Sequence, residues 1–265
     1  MEELQHDLVR RADVRKHYLS YIEGWEDPNP APVIKEHNGF LVVRDDLLGA
    51  GTKMRALDYF VRNFKGNELV FGSCPATGYA QISLPVVARR YNKKVHLFMA
   101  ARDPKNYTEY QKRGMQEGAI YHWIKDGMLN VTQKRAKDYA AEDPENRALF
   151  PLGLEHKTVT ASIIKVALSL PIDEPKEFWT VGSSGTLNRA LQIAWPNATA
   201  HVVQVGHNMK SHEIGRASHW KSSLPFNKPA KILPPFPSAP TYDSKAWEFM
   251  LEHASPGALF WNVGA

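Results

Sequence analysis

Apolar, β-branched runs of four to six residues alternate with longer stretches of helical period along nearly the whole chain, and nothing else in the sequence constrains the fold as tightly. The runs fall at 40–44, 69–73, 95–99, 119–124, 178–181, 201–205 and 258–262. Between them the spacing of apolar residues predicts helices over 53–64, 77–91, 107–117, 128–141, 157–170, 186–194 and 244–253, with a further helix near 5–21 at the start. A strand followed by a helix and another strand needs a crossover connection, so the sheet must be mostly parallel and covered on both faces. We therefore expect an α/β protein of two lobes with mostly parallel, twisted sheets flanked by helices, and ligands at the carboxyl ends of the strands. Breakers fit this order: PNPAP at 28–32 precedes the first strand, and six prolines between Pro225 and Pro240 mark a long irregular connection.

Composition narrows the class. The chain has 265 residues, enough to bury a core without disulfides or metals, and its single cysteine, Cys74, cannot form an internal disulfide. No apolar run approaches the roughly 20 residues of a membrane span, and the charged N-terminal stretch lacks the apolar core of a signal peptide, so the expected location is the cytoplasm, with no membrane partner. The net charge of +5 is concentrated. Between His201 and Lys231 five basic residues (Lys210, Arg216, Lys221, Lys228, Lys231) face one acidic residue, Glu213, with Trp220 and Phe226 among them. Such a segment can grip a polyanion through Lys210, Arg216 and Lys221, the rings stacking on bases. It can equally be a solvated face whose aromatics pack inward.

Two local motifs carry chemistry. In WTVGSSGTLNRAL (179–191) a strand runs into a glycine–serine turn and then a helix, which converges backbone N–H groups and a positive helix end on one point, suited to a phosphate. Gly182 and Gly185 permit unusual or close backbone, while Ser183, Ser184 and Thr186 offer hydroxyls. In VRDDLLGAGTKMRALDYF (43–60) Lys53 follows a glycine-rich turn and opens a helix. An ammonium there opposes the macrodipole, which lowers its proton affinity and suits a nucleophilic amine. A phosphate anchor with an activated lysine is what pyridoxal phosphate requires.

The 43–60 stretch resembles the Lys-Arg-Asp-Asp … Gly-Gly-Asn-Lys-x-Arg-Lys-Leu segment of fold-type II pyridoxal-phosphate enzymes, the tryptophan synthase β-like superfamily, nearest the aminocyclopropane-carboxylate deaminase and D-cysteine desulfhydrase branch. FGSCPATGYAQ (71–81) falls where that family has its substrate-carboxylate loop. The 182–186 turn is similar to its phosphate loop, TYDSKAWEF (241–249) to its Tyr-Glu-Gly-Lys segment, and ALFWNVGA (258–265) to its closing strand. The resemblance implies that Lys53 forms the Schiff base with pyridoxal 5'-phosphate and that Gly182, Ser183, Ser184, Gly185 and Thr186 hold its phosphate. Tyr242 is implied as a catalytic tyrosine, Asp243 as the partner of the pyridine nitrogen, and Ser73, Ala76, Thr77 and Gly78 as the substrate loop. It also implies a homodimer, a cofactor lobe of residues 1–59 plus 146–265, and a smaller lobe of residues 60–145. Taken without the family, Tyr242 reads as an aromatic at a helix start and Asp243 as an N-cap.

Two departures bear on the reaction. Thr52 stands where the family has asparagine, and Ala76-Thr77 replaces its Ser-Asn pair, removing a serine hydroxyl. Compact relatives in bacteriophage DNA-hypermodification systems are associated with decarboxylating amino acids carried on modified thymines. The resemblance thus implies a lyase, with decarboxylation of an amino acid attached to a modified pyrimidine in DNA as the first expectation. A lyase or deaminase acting on a free small amino acid is the alternative. A cofactor-binding protein without turnover is disfavoured, since it needs none of Lys53, Tyr242 and Asp243. No metal is expected.

Overall fold

The computed structural model describes residues 2–125 and 127–265. In chain order the elements are α1 (Glu2–Ser20), β1 (Ile34–His37), β2 (Phe40–Arg44), α2 (Lys53–Asn63), β3 (Glu68–Phe71), α3 (Ala80–Arg90), β4 (Lys94–Ala100), α4 (Glu109–Gln116), β5 (Ile120–Ile124) and α5 (Leu129–Ala141). There follow β6 (Arg147–Phe150), α6 (Lys157–Leu168), β7 (Glu177–Gly182), α7 (Thr186–Ala194), β8 (Thr199–Gln204), α8 (Ser211–Ile214), β9 (Ser218–Lys221), α9 (Ser244–His253) and β10 (Leu259–Asn262). The protein is α/β, as its pattern requires. By internal packing it divides into two units, Met1–Ala56 with His156–Ala265, and Leu57–Glu155.

The first unit holds a six-stranded sheet in the order β1-β2-β10-β7-β8-β9, parallel except where β1 turns back on β2. Its central strands are buried at every position, Glu177–Gly182 in β7 and Leu259–Asn262 in β10, which is the continuous apolar pattern of a strand covered on both faces. Trp179, Trp247, Phe236, Phe260 and Met250 fill one side of this sheet. The second unit holds a fully parallel sheet, β5-β4-β3-β6. Val70, Phe98, Ala136 and Ala140 pack there under α5.

Three strands escape the sequence pattern: β1, β6 and β9. Each lies at a sheet edge and carries few buried residues, so there is little apolar alternation to detect. Two helices begin later than expected. α3 starts at Ala80 rather than 77 because residues 75–78 close a turn, the Gly78 N–H donating to the Pro75 carbonyl at 2.8 Å. α4 starts at Glu109 rather than 107 because Thr108 and Gln111 form a reciprocal capping box. Among the described residues no helix is long and apolar enough to cross a membrane.

Candidate active site

The carboxyl ends of β2, β7 and β10 gather the chemistry of the first unit. After β2 the chain makes a short 3-10 turn, Asp45–Leu48, and passes two glycines before α2 opens on Lys53. This turn is tied down from three sides. Asp45, fully buried, accepts hydrogen bonds from Thr52 Oγ1 (2.8 Å), Arg55 Nε (2.9 Å) and Trp261 Nε1 (3.1 Å), and the Thr52 N–H donates to the Val263 carbonyl. Burial pushes the Asp45 carboxyl up, and the Arg55 charge with these donors opposes the rise. Asp46 takes both arms of Arg44 at 2.8 Å and the Asn262 amide at 2.8 Å. Thr52, immediately before the lysine, is thus tied to the segment that follows β10.

Asp243 is the most telling group. Its side chain is 1% exposed, and Oδ1 has no hydrogen-bond partner. Burial raises its pKa to about 8, against the counteracting charge of Lys53 and backbone N–H groups of Val263 and Gly264. It does stand at the N-cap position of α9, yet its side chain makes no capping hydrogen bond. Its carboxyl instead feels the charge of Lys53 and accepts from backbone N–H groups of Val263 and Gly264. A buried carboxyl with one unpaired oxygen and an amine in electrostatic contact is poised for a ligand that donates a proton to it.

The same burial makes the stability of the protein depend on pH. An ordinary aspartate in the unfolded chain ionises near 3.8, whereas Asp243 in the fold keeps its proton up to about 8. Across that window the native state holds a proton the unfolded state has lost, so stability falls as pH rises. Asp243→Asn should flatten that fall, which urea midpoints measured across the window will read. An unchanged slope would show that Asp243 ionises normally.

Tyr242 reaches the phosphate-type loop. Its hydroxyl donates to the Val181 carbonyl at 3.4 Å and is hydrogen-bonded by Ser183 through both side chain and backbone. Burial, then the nearby Asp243 charge, pushes its ionisation well up, so it stays protonated. The loop itself runs from Gly182 at the end of β7 to Thr186 at the start of α7. Gly185 is its hinge, at φ 71°, and a Cβ there would overlap the backbone carbonyl oxygen of Glu213. At Gly182 a Cβ would come within 3.0 Å of Met209 Sδ. Ser184 and Thr186 hydroxyls meet at 3.2 Å. The N–H groups of the first turn of α7, which have no partner within the helix, and its positive end complete a cradle for an anion.

The aromatic rings of the basic segment pack inward, as one of the two readings of its sequence expects. Residues 211–216 lie against α7, where the Asn188 amide donates to the carbonyls of Glu213 and Ile214 and the Gln192 amide to Ile214. Arg216 is exposed, and its two terminal guanidinium nitrogens donate to the carbonyls of Ala198 and Trp195. Trp220 stacks on His253 at 4.4 Å and donates to His201 Nδ1, and Phe226 packs on the core, so neither ring is presented for base stacking. Lys210 and Lys221 remain exposed, with Lys221 Nζ 3.2 Å from Asn208 Oδ1. Sequence reasoning misses Asn188 and Gln192, although two amides four residues apart on one helix face are a legible signal.

Ser73, Ala76, Thr77 and Gly78 belong to the second unit, in the loop after β3. The Thr108 hydroxyl (2.6 Å) and the Gln81 amide (3.0 Å) both donate to the Ala76 carbonyl, Gln81 also to Gly78, and Gln133 to the Ser73 hydroxyl. Cys74 is buried and its Sγ lies 3.6 Å from the Gly78 carbonyl. With its carbonyls engaged on the inner side, the loop can turn N–H groups toward an anion.

No family model and no curated protein sequence matches the chain. Solved structures do. An aminocyclopropane-carboxylate (ACC) deaminase homologue superposes with a TM-score of 0.75 at 14% identity, covering 90% of each chain. Threonine deaminase isoform 2 of Solanum lycopersicum gives 0.68 at 11% identity over 96% of this chain and 85% of that one. Diaminopropionate ammonia lyase of Escherichia coli gives 0.61 at 10% identity over 97% and 87%. The chain therefore has the tryptophan synthase β-like fold, fold type II of the pyridoxal-phosphate enzymes.

Proposed function

We propose that this protein is a pyridoxal 5'-phosphate-dependent lyase or deaminase acting at the α-carbon of a small free amino acid. The buried, half-unpartnered carboxyl of Asp243 opposite Lys53 carries the reading, because a carboxyl so placed is a cost without a ligand to answer it. When bound, the cofactor supplies an aldehyde for the amine and a ring that withdraws the electron pair left at the α-carbon. The residues present fit it. Gly182, Ser183, Ser184, Gly185 and Thr186 would take the phosphate, and Asp243 would hold a proton at the ring nitrogen, which deepens the electron sink. Lys53 would hold the cofactor and then move a proton at the α-carbon. Tyr242, kept protonated and hydrogen-bonded to Ser183, would donate to a developing negative charge. The Ser73–Gly78 loop would bind the substrate carboxylate. The structural likeness to an ACC deaminase homologue, threonine deaminase and an ammonia lyase supports a reaction that releases ammonia.

Decarboxylation of an amino acid carried on DNA is the second reading. The missing serine hydroxyl at Ala76 and the exposed Lys210 and Lys221 favour it, while the inward Trp220 and Phe226 and the carbonyl-bonded Arg216 weigh against it. One experiment separates them: incubate the holoenzyme with a panel of small amino acids, measuring ammonia and keto acid, and with amino-acid-modified duplex DNA, measuring loss of carbon dioxide by nucleoside mass spectrometry. Ammonia from the free amino acids is the expected result. Carbon dioxide loss from the DNA alone would move the assignment to the second reading, and a protein that stays colourless with added cofactor would end both.

A further inference from the structure

The loop at 76–78 is held from behind by one fully buried side chain, and that side chain is oriented by a tyrosine. Gln81 is 0% exposed. Its amide donates to the carbonyls of Ala76 (3.0 Å) and Gly78 (2.8 Å), while its Oε1 accepts from the Tyr121 hydroxyl at 3.0 Å. Two acceptors on one end and a donor on the other fix which way the amide points. The Tyr121 hydroxyl also lies 3.2 Å from the Gln111 carbonyl, and its ring is clamped in a stack with Trp123 and, beyond it, Tyr107 (centroids 5.0 and 4.9 Å apart). The close approach is permitted by Gly114 on α4, where a Cβ would overlap the Tyr121 hydroxyl and stand 2.7 Å from the Gln81 carbonyl.

Peptide planarity gives this brace a functional meaning. In a trans peptide the C=O of one residue and the N–H of the next point in opposite directions. Drawing the Ala76 carbonyl onto Gln81 therefore turns the Thr77 N–H away from it, and drawing in the Gly78 carbonyl does the same for the Tyr79 N–H. Removing the Tyr121 hydroxyl would leave Gln81 Oε1 buried without its donor, and the amide would be free to rotate off the two carbonyls. Anion-binding N–H groups work best when fixed before the ligand arrives.

We propose that Tyr121 is a positioning residue for the substrate-carboxylate loop, acting through Gln81, with Gly114 making room for it. The proposal rests on the loop's role in the function proposed above. The test titrates holoenzyme with glycine and, separately, with methylamine, which lacks the carboxylate, reading the visible absorbance of the bound cofactor. Tyr121→Phe keeps the ring stack and removes only the hydroxyl. It should raise the half-saturating glycine concentration about tenfold while leaving methylamine and cofactor affinity unchanged. Gly114→Ala, which displaces the same hydroxyl from the other side, should act in the same direction. A coloured wild type whose glycine titration is untouched by both variants overturns the brace alone, as does an equal shift for methylamine. A wild type blind to glycine removes the loop's carboxylate role and the brace with it, and a colourless wild type overturns the function itself.

Discussion

Replacing Lys53 with alanine should give a folded protein that takes no lasting colour from pyridoxal phosphate and turns over substrate more slowly by on the order of 10⁴-fold. The fold should survive because the first turn of α2 is anchored by its neighbours. Thr52 is bonded to Asp45 and Val263, and Arg55 is paired with Asp45 at 2.9 Å and with Asp27 at 2.5 Å. An ammonium at a helix start also opposes the macrodipole, so its removal relieves as well as costs, and the melting temperature should move little. Visible absorbance after dialysis against cofactor-free buffer, beside a thermal melt, reads both effects. Colour retained by Lys53→Ala and fixed by borohydride would assign the amine to another lysine. Lys245 is the buried rival to watch, its Nζ directed to the Pro225 carbonyl at 2.8 Å.

Gly185→Ala should have the second-largest effect. The position sits at φ 71°, where an alanine costs about 1–2 kcal/mol, and its Cβ would press into the Glu213 backbone, costing about 1–3 kcal/mol more. The obstacle cannot swing aside as a side chain would, because the 213–214 carbonyls are pinned by Asn188 and Gln192. We expect a stability loss of about 2–5 kcal/mol in urea and loss of cofactor binding even in the molecules that fold. A variant with wild-type urea midpoint and wild-type colour would mean that the loop does not use this conformation to hold the phosphate.

The central architecture is legible in the sequence because burial on both faces leaves an unambiguous trace: Phe178, Trp179 and Val181 can only be a covered strand. Edge strands such as Ser218–Lys221 leave no such trace, which is why the basic segment that contains one leaves open both a polyanion grip and a solvated face with inward aromatics. Counting charges gives its sign and misses its contacts, since Arg216 meets carbonyls at 195 and 198 and Trp220 meets a histidine at 253. For the candidate site, residue type at a strand or helix end and family likeness single out Lys53, Gly185 and Asp243. They do not reveal the contacts of Thr52, Asn188, Asn262 and Gln81. Each is a buried polar residue whose meaning depends on a partner elsewhere along the chain, 216 positions away for Asn262 and Asp46, 40 for Gln81 and Tyr121. Local propensity carries no information about such pairs.

The position of β10 between β2 and β7 has a bearing on biosynthesis. A ribosome delivers this strand after every other strand of the sheet, and more than two hundred residues separate it from β2. At about 5–20 residues per second the nascent β2 waits roughly 10–40 s for its neighbour. During that interval Asp45 lacks the Trp261 indole and Asp243 lacks the Val263 and Gly264 amides. The 57–155 unit, being one uninterrupted stretch, can be complete on the ribosome while the sheet of the other unit still lacks one of its central strands.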